Sequence, residues 1–143
     1  MKRSARMSRI TNLSRTAERI AGEAFAAAER EVATQEAELR SLRQYQAEYL
    51  TKLDYGAALA SYDVQKLRAF VRRIDEGIAA LEHRVRAAAR RCERERERLI
   101  AEKRRADALN DVTARALTSE ARALEGKVQR EIDDSPREKP VQG

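Results

Sequence analysis

The sequence holds one histidine, His83, and one cysteine, Cys92. A metal centre needs three or four such ligands, and a thiol nucleophile needs a base beside it. Cys92 falls on a line of apolar positions, where a free cysteine acts as a small hydrophobe. His83 lies off that line on a charged stretch and reads as a surface side chain. There is no Gly-rich phosphate loop and no cysteine pair at zinc spacing. The carboxylates alternate with arginine at helical spacings, a pattern of surface ion pairs rather than of an acid–base couple. The expectation is a chain without catalysis, cofactor, metal or small-molecule substrate.

The elements that carry these residues are long. Of 143 residues, 38% are charged and none is Trp, a composition of helices that bury a seam rather than a compact core. From Leu67 a 3,4-spaced register runs through 71, 74, 78, 81, 85, 88, 92, 95, 99, 102, 106, 109, 113 and 116. Only Glu95, Glu102 and Thr113 in it are not apolar. A mean spacing of about 3.5 is the coiled-coil period. The seam is then expected to slip by one residue to Leu117, Ala121, Leu124, Val128 and Ile132. The first half is noisier. Ile10, Leu13, Ala17, Ile20 and Ala24 begin a register that continues, after another slip, through Ala28, Val32, Gln35, Leu39, Leu42, Gln46, Tyr49 and Leu53. Between the halves, Gly56 can take a left-handed end position and Ser61 an N-cap.

The fold class predicted is all-α: two long helices in an antiparallel coiled-coil hairpin over residues 1–135. Its parts are a helix at 8–53, a turn at 54–61, a helix at 62–132 and a disordered tail at 136–143. At 1.5 Å per residue the helices would reach about 70 and about 105 Å. Folding back at the turn pairs residues whose numbers sum to about 119. Residues 113–132 then have little of the first helix to cover them, which points to a partner at that end or to a C-terminus that frays in isolation.

The net charge is +6. Residues 1–20 carry Lys2, Arg3, Arg6, Arg9, Arg15 and Arg19 against Glu18 alone. Such a region can attract nucleic acid, anionic lipid or acidic protein. Glu interrupts the basic stretches elsewhere and no base-reading module is visible, so nucleic acid is not expected as a partner. No run of 18 apolar residues spans a membrane, and the basic N-terminus lacks the apolar stretch of a signal peptide. A cytosolic location is expected.

One cluster stands out. Except for Phe25, the aromatic residues lie near the turn: Tyr45, Tyr49, Tyr55, Tyr62 and Phe70. Glu38, Leu42, Tyr45 and Tyr49 follow i, i+4, i+7, i+11 spacing, and Phe70, Ile74, Gly77 and Leu81 repeat it. The pairing sets Tyr49 beside Phe70, Tyr45 beside Ile74, Leu42 beside Gly77 and Glu38 beside Leu81, as one ridge. Gly77 is costly inside a helix, by about 0.5–1 kcal/mol against Ala, so something approaches closely there. Either these residues seal the tip of the hairpin, or Tyr45 and Phe70, which flank the seam, form an exposed aromatic hot spot.

Leu42-Arg-Gln-Tyr45-Gln-Ala-Glu48-Tyr49-Leu-Thr-Lys-Leu53, followed after a loop by Leu67-Arg-Ala-Phe70-Val-Arg-Arg-Ile74-Asp-Glu-Gly-Ile78, resembles the FliJ family of the bacterial flagellar type III export apparatus. The resemblance implies a stalk-like antiparallel coiled coil with its paired chain ends seated in the export ATPase ring. It also implies contact with the export gate protein FlhA, escort of export chaperones, and indirect association with the cytoplasmic face of the inner membrane. The family's docking patch corresponds to Glu38, Leu42, Tyr45, Tyr49, Phe70, Ile74, Gly77 and Leu81. Relatives often carry Trp in the second helix where Leu99 and Leu109 stand here, and Leu67 occupies a position where an aromatic is common. The YscO-type stalk of injectisomes shares the architecture. A basic nucleic-acid-binding rod and a self-associating scaffold are the readings from other classes.

Overall fold

The computed structural model describes residues 3–54 and 61–134. Its elements are α1 (Arg3–Asp54) and α2 (Ser61–Asp134), packed against each other. The proposed turn, with Gly56 and Tyr55, and the tail from Ser135 lie outside the described residues. Neither helix contains proline, and Ala, Leu, Glu, Arg and Lys, all good helix formers, fill both. Except for Thr11, the threonines inside them return their hydroxyls to the carbonyl four residues back, as Thr16 does to Asn12, Thr34 to Arg30, Thr51 to Ala47 and Thr118 to Ala114.

The chain divides into two compact units, residues 20–100 and residues 1–19 with 101–143. In the first, Leu39, Ile74 and Ile78 are buried, with Leu42, Tyr49, Leu81 and Val85 packed around them. Ala21 and Ala28 are also buried. Contacts run in opposite senses along the two helices: Tyr49 meets Phe70, Gln46 donates to Asp75 at 3.2 Å, and Arg43 donates to Glu82 at 3.1 Å. The Arg43–Glu82 pair is exposed and contributes at most about 0.5–1 kcal/mol.

The second unit is held differently. The Thr11 hydroxyl lies 2.7 Å from that of Thr113, and both point at the Leu109 carbonyl, at 3.3 and 2.8 Å. Arg15 donates to Glu18 at 2.8 Å and to Asp107 at 3.2 Å. The Ser4 backbone N–H donates to the Glu120 carboxylate at 3.0 Å, and the Ser4 hydroxyl donates to the other oxygen of that group. A carboxylate from α2 therefore satisfies an otherwise orphan donor in the first turn of α1 and places negative charge at its positive end. Residues 3–7, which the sequence reading left outside the first helix, are helical.

Both slips expected from the sequence are absent. Along α1 an unbroken 3,4 register runs through Ser4, Met7, Thr11, Ser14, Glu18, Ala21, Phe25 and Ala28 and on to Leu53, with no exposed member. Ile10, Leu13 and Ile20 are turned outward, at 44%, 71% and 47% exposure. On α2 the register from Leu67 to Ala116 has no exposed member either, and Glu120 continues it. Leu117, Leu124, Val128 and Ile132 face away from α1. Where apolar side chains and period disagree, the period wins. A one-residue shift turns a helix by about 100° and would part the seam on both sides of it, whereas small hydroxyl residues fit the seam without such a shift.

Candidate partner-docking site

All eight residues of the predicted ridge fall in the unit formed by residues 20–100. Ile74 is buried in the core, and Leu42, Tyr49 and Leu81 are packed against it. These four hold seam positions and act first as structure. Glu38 is exposed. Tyr45 and Phe70 flank the seam and are 58% and 42% exposed. Glu38, Leu42, Tyr45 and Leu81 come together with Ser41 round one shallow, open groove.

The Phe70 ring meets the Tyr49 ring edge to face, with centroids 4.7 Å apart, in the favoured geometry for aromatic pairs. Tyr49 thus fixes Phe70 from the inside while the other side of that ring stays open. The Lys52 ammonium sits 4.7 Å from the Tyr49 centroid and contributes a cation–π contact. A Cβ added to Gly77 would lie 3.2 Å from Leu42 Cδ2. The close approach inferred at this glycine is therefore made at least in part by the chain itself. Gly77 has no positive φ, so closeness rather than backbone shape is what glycine provides.

Two features were missed from the sequence. Leu50 is 45% exposed and lines a second groove with Leu53, Gln65, Arg68, Val71 and Arg72. Its position one residue after the seam residue Tyr49 could have revealed it. The Lys52–Tyr49 contact needed only i, i+3 spacing. Among the described residues no group of His, Cys, Asp or Glu could hold a metal ion, and no helix is long and apolar enough to cross a membrane. Cys92 is a free, half-buried thiol.

Two packed helices, with apolar residues strung along them and an aromatic pair left open, define an all-helical protein with an exposed aromatic surface. Residues 2–136 match the family described as Flagellar FliJ protein. The chain belongs to that family, which gives it an export-related role in the flagellum. No curated protein and no solved structure matches it.

Proposed function

We propose that the chain is a non-enzymatic stalk of the flagellar type III export apparatus, an antiparallel coiled-coil hairpin that links the export ATPase ring to the gate protein FlhA and escorts export chaperones. It works in the cytoplasm, at the cytoplasmic face of the inner membrane. One unit presents the ridge to the gate. The other, with Arg3, Arg6, Arg9 and the outward leucines of α2, enters the ring. Family membership supports the setting. The observation that carries the gate-binding role is the Tyr45–Phe70 pair: two large aromatic side chains about half exposed on a surface otherwise rich in charge. Rigid aromatic anchors of this kind dominate protein interfaces.

The test is a pull-down of the purified chain on the export ATPase and on the cytoplasmic domain of FlhA, with Tyr45→Ala/Phe70→Ala as the variant. The wild type binds both, and the variant keeps its helicity and the ATPase but loses the gate domain. Loss of helicity in the variant would reduce the pair to a structural seal. A wild type that binds neither protein would end the stalk reading.

A further inference from the structure

The groove lined by Leu50, Leu53, Gln65, Arg68, Val71 and Arg72 opens on the side of the helix pair away from the aromatic ridge. At about 100° per residue, Leu50 stands about 140° from Tyr45 round α1, and Arg68 about 160° from Phe70 round α2. The groove shares no residue with the ridge or with the shallow groove beside Tyr45. Its apolar lining comes from Leu50, which is 45% exposed, and from the half-buried Leu53 and Val71. Its volume of about 610 Å³ has room for several side chains rather than for one ion.

Seven-residue steps along this flank show what is missing from it. Glu82 accepts from Arg43, and seven residues earlier Asp75 accepts from Gln46. A further step of seven reaches Arg68, whereas the step of seven from Arg43 along α1 reaches Leu50. An aliphatic side chain thus shares the groove with a guanidinium where a polar pair would have continued the pattern. Arg72, one turn on from Arg68, lines the groove as well. Both arginines are exposed, and among the described residues neither makes an ion pair or a hydrogen bond.

An occupant must therefore bring apolar side chains for the floor and carboxylates for the two guanidinium groups. A phosphate would satisfy only the arginines and leave Leu50 in water, and a flat bilayer does not enter a furrow between two helices. Residues 65–72 of α2 extend about 10 Å at 1.5 Å per residue, which is about two helical turns. An amphipathic helix covers that length with apolar side chains at i, i+3 or i+4, and i+7. Carboxylates beside such a stripe accept charge-assisted hydrogen bonds from arginine.

We propose that this groove docks an acidic amphipathic helix of another protein, with its apolar stripe on Leu50, Leu53 and Val71 and its flanking carboxylates on Arg68 and Arg72. The ridge stays open while the groove is filled, so two partners are held at once on opposite sides. The inference stands whether or not the export stalk reading holds.

Fluorescence anisotropy of the full chain with labelled, helix-stapled peptides tests it. The peptides carry Leu, Met or Phe at i, i+3 and i+7 with Glu beside them, and matched controls carry Lys in place of Glu. At least one acidic peptide binds the wild type, and its Lys counterpart does not. Arg68→Glu/Arg72→Glu weakens the acidic peptide at least about tenfold, since two charge-assisted contacts become repulsive, and makes the Lys peptide the better ligand. Leu50→Ser weakens the acidic peptide about tenfold with unchanged helicity by circular dichroism, as expected for loss of a central apolar anchor. Arg90→Glu/Arg94→Glu, which alters charge by the same amount elsewhere on α2, and Tyr45→Ala/Phe70→Ala both leave that binding within about twofold, because contacts this far apart act independently. A wild type that binds none of the acidic peptides overturns the proposal. So does binding that ignores Leu50→Ser, binding that falls as much with Arg90→Glu/Arg94→Glu as with the groove variant, or binding to vesicles of anionic lipid that depends on Arg68 and Arg72 while no peptide binds.

Discussion

Gly77→Ala separates two reasons for a glycine at the centre of the ridge. Inside α2, alanine is favoured over glycine by about 1 kcal/mol through lower backbone entropy in the unfolded chain. The opposing effect is steric. The new methyl would lie 3.2 Å from Leu42 Cδ2, so that side chain must give by a few tenths of an ångström. Leu42 is only partly buried, and a small turn about its χ angles costs about 0.5 kcal/mol. The balance is a gain of about 0.5 kcal/mol, read as a higher urea midpoint at unchanged m-value, with circular dichroism at 222 nm as the signal. Binding to the gate domain is measured on the same sample. If the glycine serves only the fit with Leu42, binding is unchanged. If a partner's backbone comes down on it, binding falls at least tenfold while stability rises. A loss of 1 kcal/mol or more would refute the reasoning, because Leu42 would then be locked in place by its neighbours.

Ile74→Ala removes a 7% exposed core side chain and costs about 2–4 kcal/mol in the same titration. Leu13→Gln changes stability by less than about 0.5 kcal/mol, since Leu13 points outward; a large loss would restore it to the seam. Ser14 is 6% exposed and its hydroxyl has no hydrogen-bond partner. Ser14→Ala is therefore stabilising by about 1 kcal/mol, and a loss instead would reveal a bound water in that space. Arg43→Ala breaks an exposed ion pair and shifts the unfolding midpoint within error, at about 0.5 kcal/mol or less.

The sequence made most of the helical layout readable because 3,4 spacing leaves a strong trace wherever the seam is apolar. The stretch Leu67–Ala116 and the stretch Ala28–Leu53 lie in the register read from the sequence, without an exposed member. It misled where apolar residues and the seam part company. Ile10, Leu13 and Ile20 formed a better apolar line than Ser4, Thr11 and Ser14 do, yet the hydroxyl residues face α2. The admission of Thr11 and Ser4 depends on hydrogen bonds that no spacing displays, from Thr11 to Thr113 and from Ser4 to Glu120, while Ser14 is admitted by its small size alone. At the candidate site, the exposure of Tyr45 and Phe70 followed from their place beside the seam. The contact between Leu42 and Gly77 followed from the antiparallel pairing. The edge-to-face geometry of Tyr49 and Phe70 did not, because spacing sets neighbours but not ring angles.

The hydroxyl-lined seam of Ser4, Thr11, Ser14 and Thr113 has a consequence for how the molecule comes apart. Residues 3–19 of α1 turn Ile10 and Leu13 to water and the hydroxyls of Ser4, Thr11 and Ser14 inward, a local conflict of the kind that roughens an energy landscape. Little apolar area holds this stretch closed, and its hydrogen bonds have water as a ready substitute. Amide protons of residues 5–19 should therefore exchange with solvent well before those around Leu39 and Ile78, through openings that leave the rest folded. A protease added under native conditions would cut first among the arginines of that stretch, at Arg6, Arg9 or Arg15. The chain would behave as a zipper with one loose end, and whatever clasps that end would set its lifetime.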